Sequence, residues 1–192
     1  MSQLEKIFEH IDSHFEEHIK KLQEYLRKES ISLCEGHNPH VNECAEQLCG
    51  YIREIGGTAE LAEFPEGYPI VFGRLMSKNP NAKTMAFYSL YDVMPVDEPE
   101  WKVEPFSADI VDAEYTGLPK EYGPCIVARG ARNQKGPTMG FIRAVESMLA
   151  VDGDVPVNIL FVIEGEEEIG SVHMKAFCDR YYEQLKDCCA VW

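Results

Sequence analysis

The sequence is short of positive charge. Eighteen lysines and arginines face 33 aspartates and glutamates, a formal net charge of −15 over 192 residues. A negative field of that size repels phosphate backbones and acidic headgroups, which excludes nucleic acid and membrane surfaces as general partners and leaves a small molecule or another protein. Long apolar runs are missing too. The N-terminal stretch mixes charged and apolar residues from its start, so it lacks the core of a signal peptide. The clearest apolar segment, Ile159 to Ile163, is far too short to cross a bilayer. A soluble, cytoplasmic protein is expected. The seven cysteines (Cys34, Cys44, Cys49, Cys125, Cys178, Cys188 and Cys189) form no C-x-x-C pair, and their odd number suits reduced thiols acting as small buried hydrophobes. Two catalytic signatures are absent as well. His14-Phe15-Glu16-Glu17-His18 has no glutamate after its first histidine, so it is not a zincin motif, and no G-x-S-x-G elbow surrounds Ser89.

Periodicity supplies the architecture. Leu4, Ile7, Phe8, Ile11, Phe15, Ile19, Leu22 and Leu26 recur at helical spacing, predicting one amphipathic helix from Leu4 to about Arg27. His10, His14 and His18 fall on one face of it and read as a solvated stripe. A second helix runs from about Val41 to Ile55, where Gly56-Gly57 stops it. The period then changes to two. Strands are expected at Thr58 to Phe64, Ile70 to Met76, Thr84 to Tyr91, Ala108 to Ala113 and Ile126 to Ala128. A helix follows over Pro137 to Val151, then a strand over Val155 to Ile163 that is apolar enough to be covered on both faces. A last helix, Ser171 to Leu185, leads into the apolar segment Cys188 to Trp192. This order predicts an α/β three-layer sandwich with a mostly parallel mixed central sheet and helices on both faces. Because Trp192 falls inside an apolar strand, a C-terminal continuation or a separate partner chain is expected to complete the sheet.

Three segments carry polar groups where chemistry would need them. Asp92 follows a buried strand, the place where open α/β sheets bind ligands. Arg129-Gly130-Ala131-Arg132-Asn133-Gln134-Lys135-Gly136 precedes a helix, so its cationic and amide groups could hold an anion or simply cap the helix. Glu164-Gly165-Glu166-Glu167-Glu168-Ile169-Gly170-Ser171 crowds carboxylates at the end of the second buried strand, which points to metal binding, to a raised pKa or to a solvated acidic turn. His173 reads as a surface residue.

Taken in order, Asp92-Val93, Pro95, Trp101, Pro105-Phe106, Arg129-Gly130-Ala131, Lys135-Gly136 and Glu164 to Ser171 resemble the di-zinc amidohydrolase and metallopeptidase family of aminoacylase, acetylornithine deacetylase, succinyl-diaminopimelate desuccinylase, carboxypeptidase G and the carnosinase-like dipeptidases. The resemblance implies that residues 1–192 are the N-terminal part of a catalytic domain, with the lid and dimerisation domain absent and an oligomer expected. It implies Glu167 as general base, Glu168 as a metal ligand and Asp92 as the residue that orients a ligand histidine. It also marks two departures. The histidine position is Leu90, and the bridging-aspartate position is Asn133, a far weaker ligand. A conventional two-zinc site is not expected, although a single divalent ion has room.

The expected activity is hydrolysis of a C–N (amide) bond in a small amino-acid derivative with an altered or lost metal site. Two alternatives stand beside it: a non-catalytic homologue that binds a partner chain or ligand, and a metal-independent racemase or isomerase that uses Glu167 for proton abstraction. No residue in the sequence identifies the groups that would bind substrate.

Overall fold

A computed structural model of the chain describes residues 2–192. Its central sheet has the strand order β1-β2-β6-β3-β7, formed by β1 (Thr58–Ala62), β2 (Ile70–Leu75), β3 (Thr84–Leu90), β6 (Asn158–Glu164) and β7 (Ala190–Val191). β1 to β2 and β2 to β6 are antiparallel, whereas β6 to β3 and β3 to β7 are parallel. The sheet is therefore mixed, and parallel in the half that carries Asp92. Strands β4 (Asp109–Asp112) and β5 (Pro124–Val127) form a separate antiparallel hairpin.

Strand β6 shows why both faces are covered. Ile159, Phe161 and Ile163 enter one core with Val71, Phe87, helix α3 (Pro39–Glu54) and helix α5 (Lys135–Asp152). Leu160 and Val162 enter the other, with Ile70, Phe72 and Phe177 of helix α6 (Met174–Arg180). Successive strand residues point to opposite faces, so a continuous apolar run feeds both layers. Asn38 caps α3 by accepting from the His40 N–H, and Pro39 supplies the pre-set first turn.

The structure corrects several element boundaries. The long N-terminal helix is two helices, α1 (Gln3–Ser13) and α2 (Phe15–Leu26), which meet at His14. There the Ser13 hydroxyl and the His14 ring both bond to the His10 carbonyl, and such side-chain bonds compete with the helical ladder. The C-terminal helix starts at Met174 rather than Ser171, which has a positive φ of 53°, and it breaks at Tyr181 before the short α7 (Tyr182–Leu185). The three histidines are not a solvated stripe. His10 and His14 stack with ring centroids 4.0 Å apart, and His18, with its side chain 12% exposed, packs towards Glu146 of α5. The cysteines are all free, but only Cys44 and Cys49 are fully buried; Cys34, Cys178 and Cys189 are exposed. No helix among the described residues is long and apolar enough to cross a membrane.

Candidate functional site at the rim of the sheet

The site lies at the carboxyl ends of the parallel strands β3 and β6, where Leu90 stands beside Glu164 in register. Immediately beyond β6 the chain must turn under Tyr91. A Cβ on Gly165 would lie 2.4 Å from the Tyr91 hydroxyl oxygen, so only glycine passes there. The short 3₁₀ turn Glu167–Ile169 follows.

Asp92, fully buried just past β3, holds that turn in place. Its Oδ1 accepts from the Glu167 N–H at 3.2 Å, and its Oδ2 accepts from the Glu168 N–H at 3.0 Å and the Ser32 hydroxyl at 2.6 Å. The segment carrying Ser32 is in turn fixed to the strand end. The Ser30 hydroxyl donates to the Tyr91 carbonyl at 2.6 Å, and the Val93 N–H donates to the Ser30 carbonyl at 2.9 Å. Burial pushes the Asp92 carboxyl up, against the hydrogen bonds from Ser32 and the two amides. Burial also raises Glu168, helped by the neighbouring charges of Glu167 and Asp92. Glu164 is raised by burial as well, although Tyr88 and Ser171 donate to its Oε1; its Oε2 is buried without a partner. The side chains of Glu167 and Glu168 are half-buried and accept no hydrogen bond among the described residues.

A second buried carboxylate holds the turn from the opposite side. Glu166 is 3% exposed; its Oε1 accepts from the Tyr68 N–H at 2.9 Å, and its Oε2 accepts from the His173 N–H at 3.2 Å and meets His173 Nδ1 at 2.8 Å. His173 is thus a partner of the site and not a surface residue, and its ring stacks on Phe64. Sequence reasoning missed Ser32, Glu166 and His173. Glu166 was read only as one of the crowded carboxylates of the acidic segment, and the other two lie far from Asp92 in the chain.

The remaining sequence-derived residues separate. Leu90 is 5% exposed at the strand end, paired in register with Glu164. Asn133 is exposed in the loop before α5, with no hydrogen bond to Asp92, Glu167 or Glu168. Two of the three cationic groups of that loop are committed elsewhere, and Arg132 is exposed. Arg129 pairs with Glu98, donates to the Pro95 carbonyl and covers the Trp101 ring. Lys135 is fully buried and donates to the Tyr25 and Lys28 carbonyls at 3.3 and 2.6 Å, anchoring the end of α2. No group of three His, Cys, Asp or Glu residues close enough to hold a metal ion occurs among the described residues. Position 90 thus carries an aliphatic side chain and position 133 an exposed amide.

Comparison with known proteins places this arrangement. The chain is 32% identical over 187 residues to mouse Beta-Ala-His dipeptidase, covering 90% of this chain and 35% of that protein. It is 28% identical over 204 residues to the Cys-Gly metallodipeptidase of Schizosaccharomyces pombe, covering 98% of this chain and 40% of the relative. Its fold matches human carnosine dipeptidase 1 with a TM-score of 0.85 at 26% identity, over 100% of this chain and 41% of that one. A metallo-carboxypeptidase of Sulfolobus solfataricus matches at a TM-score of 0.74 and 35% identity, over 89% and 36% of the respective chains. The chain therefore spans a little over a third of the length of these relatives. The model of peptidase family M20/M25/M40 matches residues 86–191, which contain both strand ends, Asp92 and the whole acidic turn, and the chain belongs to that family.

Proposed function

We propose that residues 1–192 are the N-terminal part of the catalytic domain of an enzyme that hydrolyses a C–N bond in a small amino-acid derivative, with Glu167 as the proton acceptor and an altered metal site. One observation carries the reading. Both glutamates are held at the sheet rim by their backbone N–H groups on Asp92, which leaves their carboxylates unengaged and half-buried beside the strand ends. In this reading Glu167 takes a proton from the water that attacks the amide carbonyl and later returns it to the departing amine. Asp92 and Ser32 position the turn. The names of the dipeptidase relatives agree with an amide substrate. We assign no step to metal, because Leu90 and Asn133 remove an imidazole and a bridging carboxylate; Glu168 remains as a donor for at most one divalent ion.

A second reading is favoured by the same two residues. Leu90 closes the strand end with hydrocarbon, as befits a homologue that has kept the fold and lost the reaction. Amine release from a panel of dipeptides and N-acyl amino acids, followed on the full-length protein together with its metal content, separates the two. The hydrolase reading expects release with no more than one divalent ion per chain. Two ions per chain would contradict the altered site, and a folded protein that releases no amine from any member favours the non-catalytic homologue. A metal-free protein that exchanges a substrate Cα proton instead of releasing amine would identify the racemase or isomerase alternative.

A further inference from the structure

A cavity of about 740 Å³ opens beside the acidic turn. Three segments build it: the strand-like link after α2, with Ser32, Leu33, Cys34 and His37; the β1–β2 turn, with Glu66 and Tyr68; and the acidic turn itself, with Glu166 and Ile169. Its volume falls in the range of small-molecule sites. It also touches the catalytic rim at two points. Ser32 on its wall is the hydroxyl that donates to Asp92, and Glu166 and Ile169 flank the Glu167–Glu168 pair. An occupant would lie one residue away from Glu167.

The chemistry of the wall is one-sided. It contains two carboxylates and neither lysine nor arginine. Glu166 is spent, because three hydrogen bonds from Tyr68 and His173 already occupy it. Glu66 has no such commitment and is exposed at the mouth, held there by a left-handed backbone, φ 58°, that a non-glycine residue adopts at a cost. Beside the carboxylates in the same wall, His37 stacks on Tyr68 with centroids 4.8 Å apart and presents an aromatic face. The Tyr68 hydroxyl accepts from the Asn38 N–H, which fixes that ring. Gly67 sets the floor: a Cβ there would lie 2.4 Å from His173 Nδ1 and 2.7 Å from Glu166 Oε1. A carboxylate at the mouth, a fixed aromatic face and no competing cation favour a compact ammonium ion on a short carbon chain, and they repel carboxylates and phosphates.

We infer that this cavity binds the ammonium group of a small amine-bearing ligand between Glu66 and the His37–Tyr68 stack. That the ligand is the amine-bearing end of the substrate rests on the hydrolase reading above. The binding itself does not, so its test avoids turnover.

Cys34 lies in the wall and is exposed, and Cys178 and Cys189 are exposed outside it, so one alkylation experiment carries its own controls. The full-length protein is treated with iodoacetamide, alone and with phenethylammonium, 2-phenylethanol or phenylacetate, and labelling of each cysteine is followed by peptide mass spectrometry. Phenethylammonium is expected to slow labelling of Cys34 several-fold and leave Cys178 and Cys189 unchanged, while the neutral and anionic analogues protect far less. Glu66→Gln, an exposed substitution that leaves the fold alone, should raise the protecting concentration about fivefold. His37→Ala should raise it by a similar factor. Equal protection by phenylacetate, no protection at any soluble concentration, or protection unchanged in Glu66→Gln would each overturn the assignment. Protection without amide hydrolysis would keep the cavity and discard the hydrolase reading.

Discussion

The acidic turn is held by two buried carboxylates of different kinds. Asp92 reaches it from β3 and accepts from backbone N–H groups and a serine; Glu166 belongs to the turn and ties it to the β1–β2 turn through Tyr68 and His173. On the Asp92 side, position 90 is a leucine and no histidine is present. The Glu166 side carries one, His173. In this chain the carboxylate-histidine contact at the rim fixes the turn, and its carboxylate, Glu166, lines the cavity.

The largest expected effect tests the Asp92 side. Asp92→Ala leaves a buried serine hydroxyl and two half-buried N–H groups without acceptors, and a loss of about 3 kcal/mol in urea unfolding follows from stranding several donors at once. A loss no larger than that of an exposed substitution would mean that solvent replaces Asp92 freely. On the other side, Glu166→Ala is expected to cost about 2–3 kcal/mol, with His173→Ala somewhat less, since backbone bonds from Tyr68 N and His173 N to Glu166 survive the second change. Equal losses would place the whole effect in the imidazole. Gly67→Ala should cost about 1–3 kcal/mol through its clash with His173 and Glu166.

The smallest effect is a pH dependence. Burial raises Glu164, whose Oε2 has no partner, so folding favours its protonated form. The stability it contributes is fully present below its ordinary value of 4.5 and is lost as pH rises through the raised folded value. Glu164→Gln should therefore flatten the decline in unfolding midpoint as pH rises above the ordinary carboxyl value of 4.5. An unchanged profile would assign the decline to Asp92 and Glu168, which burial raises in the same direction.

Much of the fold was legible because burial writes itself into periodicity. The apolar run at Ile159 to Ile163 announced a strand covered on both faces, and the C-terminal end of α3 followed from Gly56-Gly57, whereas its start lies two residues earlier than expected, at Pro39. The breaks at His14 and Tyr181 were not legible, because apolar spacing continues through both and a local contest for the His10 carbonyl decides the first. At the rim, Asp92 and the Glu164 to Ser171 segment could be singled out as carboxylates at strand ends. Ser32 and His173 could not, nor could the separate role of Glu166 within that segment, since these depend on which segments the fold brings to one corner. The role of Lys135 was open for a related reason: a lysine in a polar loop fits an anion site or a helix cap equally until its burial beneath α2 is known.

The most direct test is Glu167→Gln in the full-length protein, assayed on whichever dipeptide or N-acyl amino acid the unaltered protein cleaves fastest. The substitution preserves shape and the backbone bond to Asp92 while removing the proton acceptor, so kcat should fall by roughly a hundredfold to ten-thousandfold with the unfolding midpoint unchanged. A kcat that stays within about twofold of the unaltered enzyme would remove Glu167 from the chemistry, because general-base catalysis cannot lose its base at so little cost.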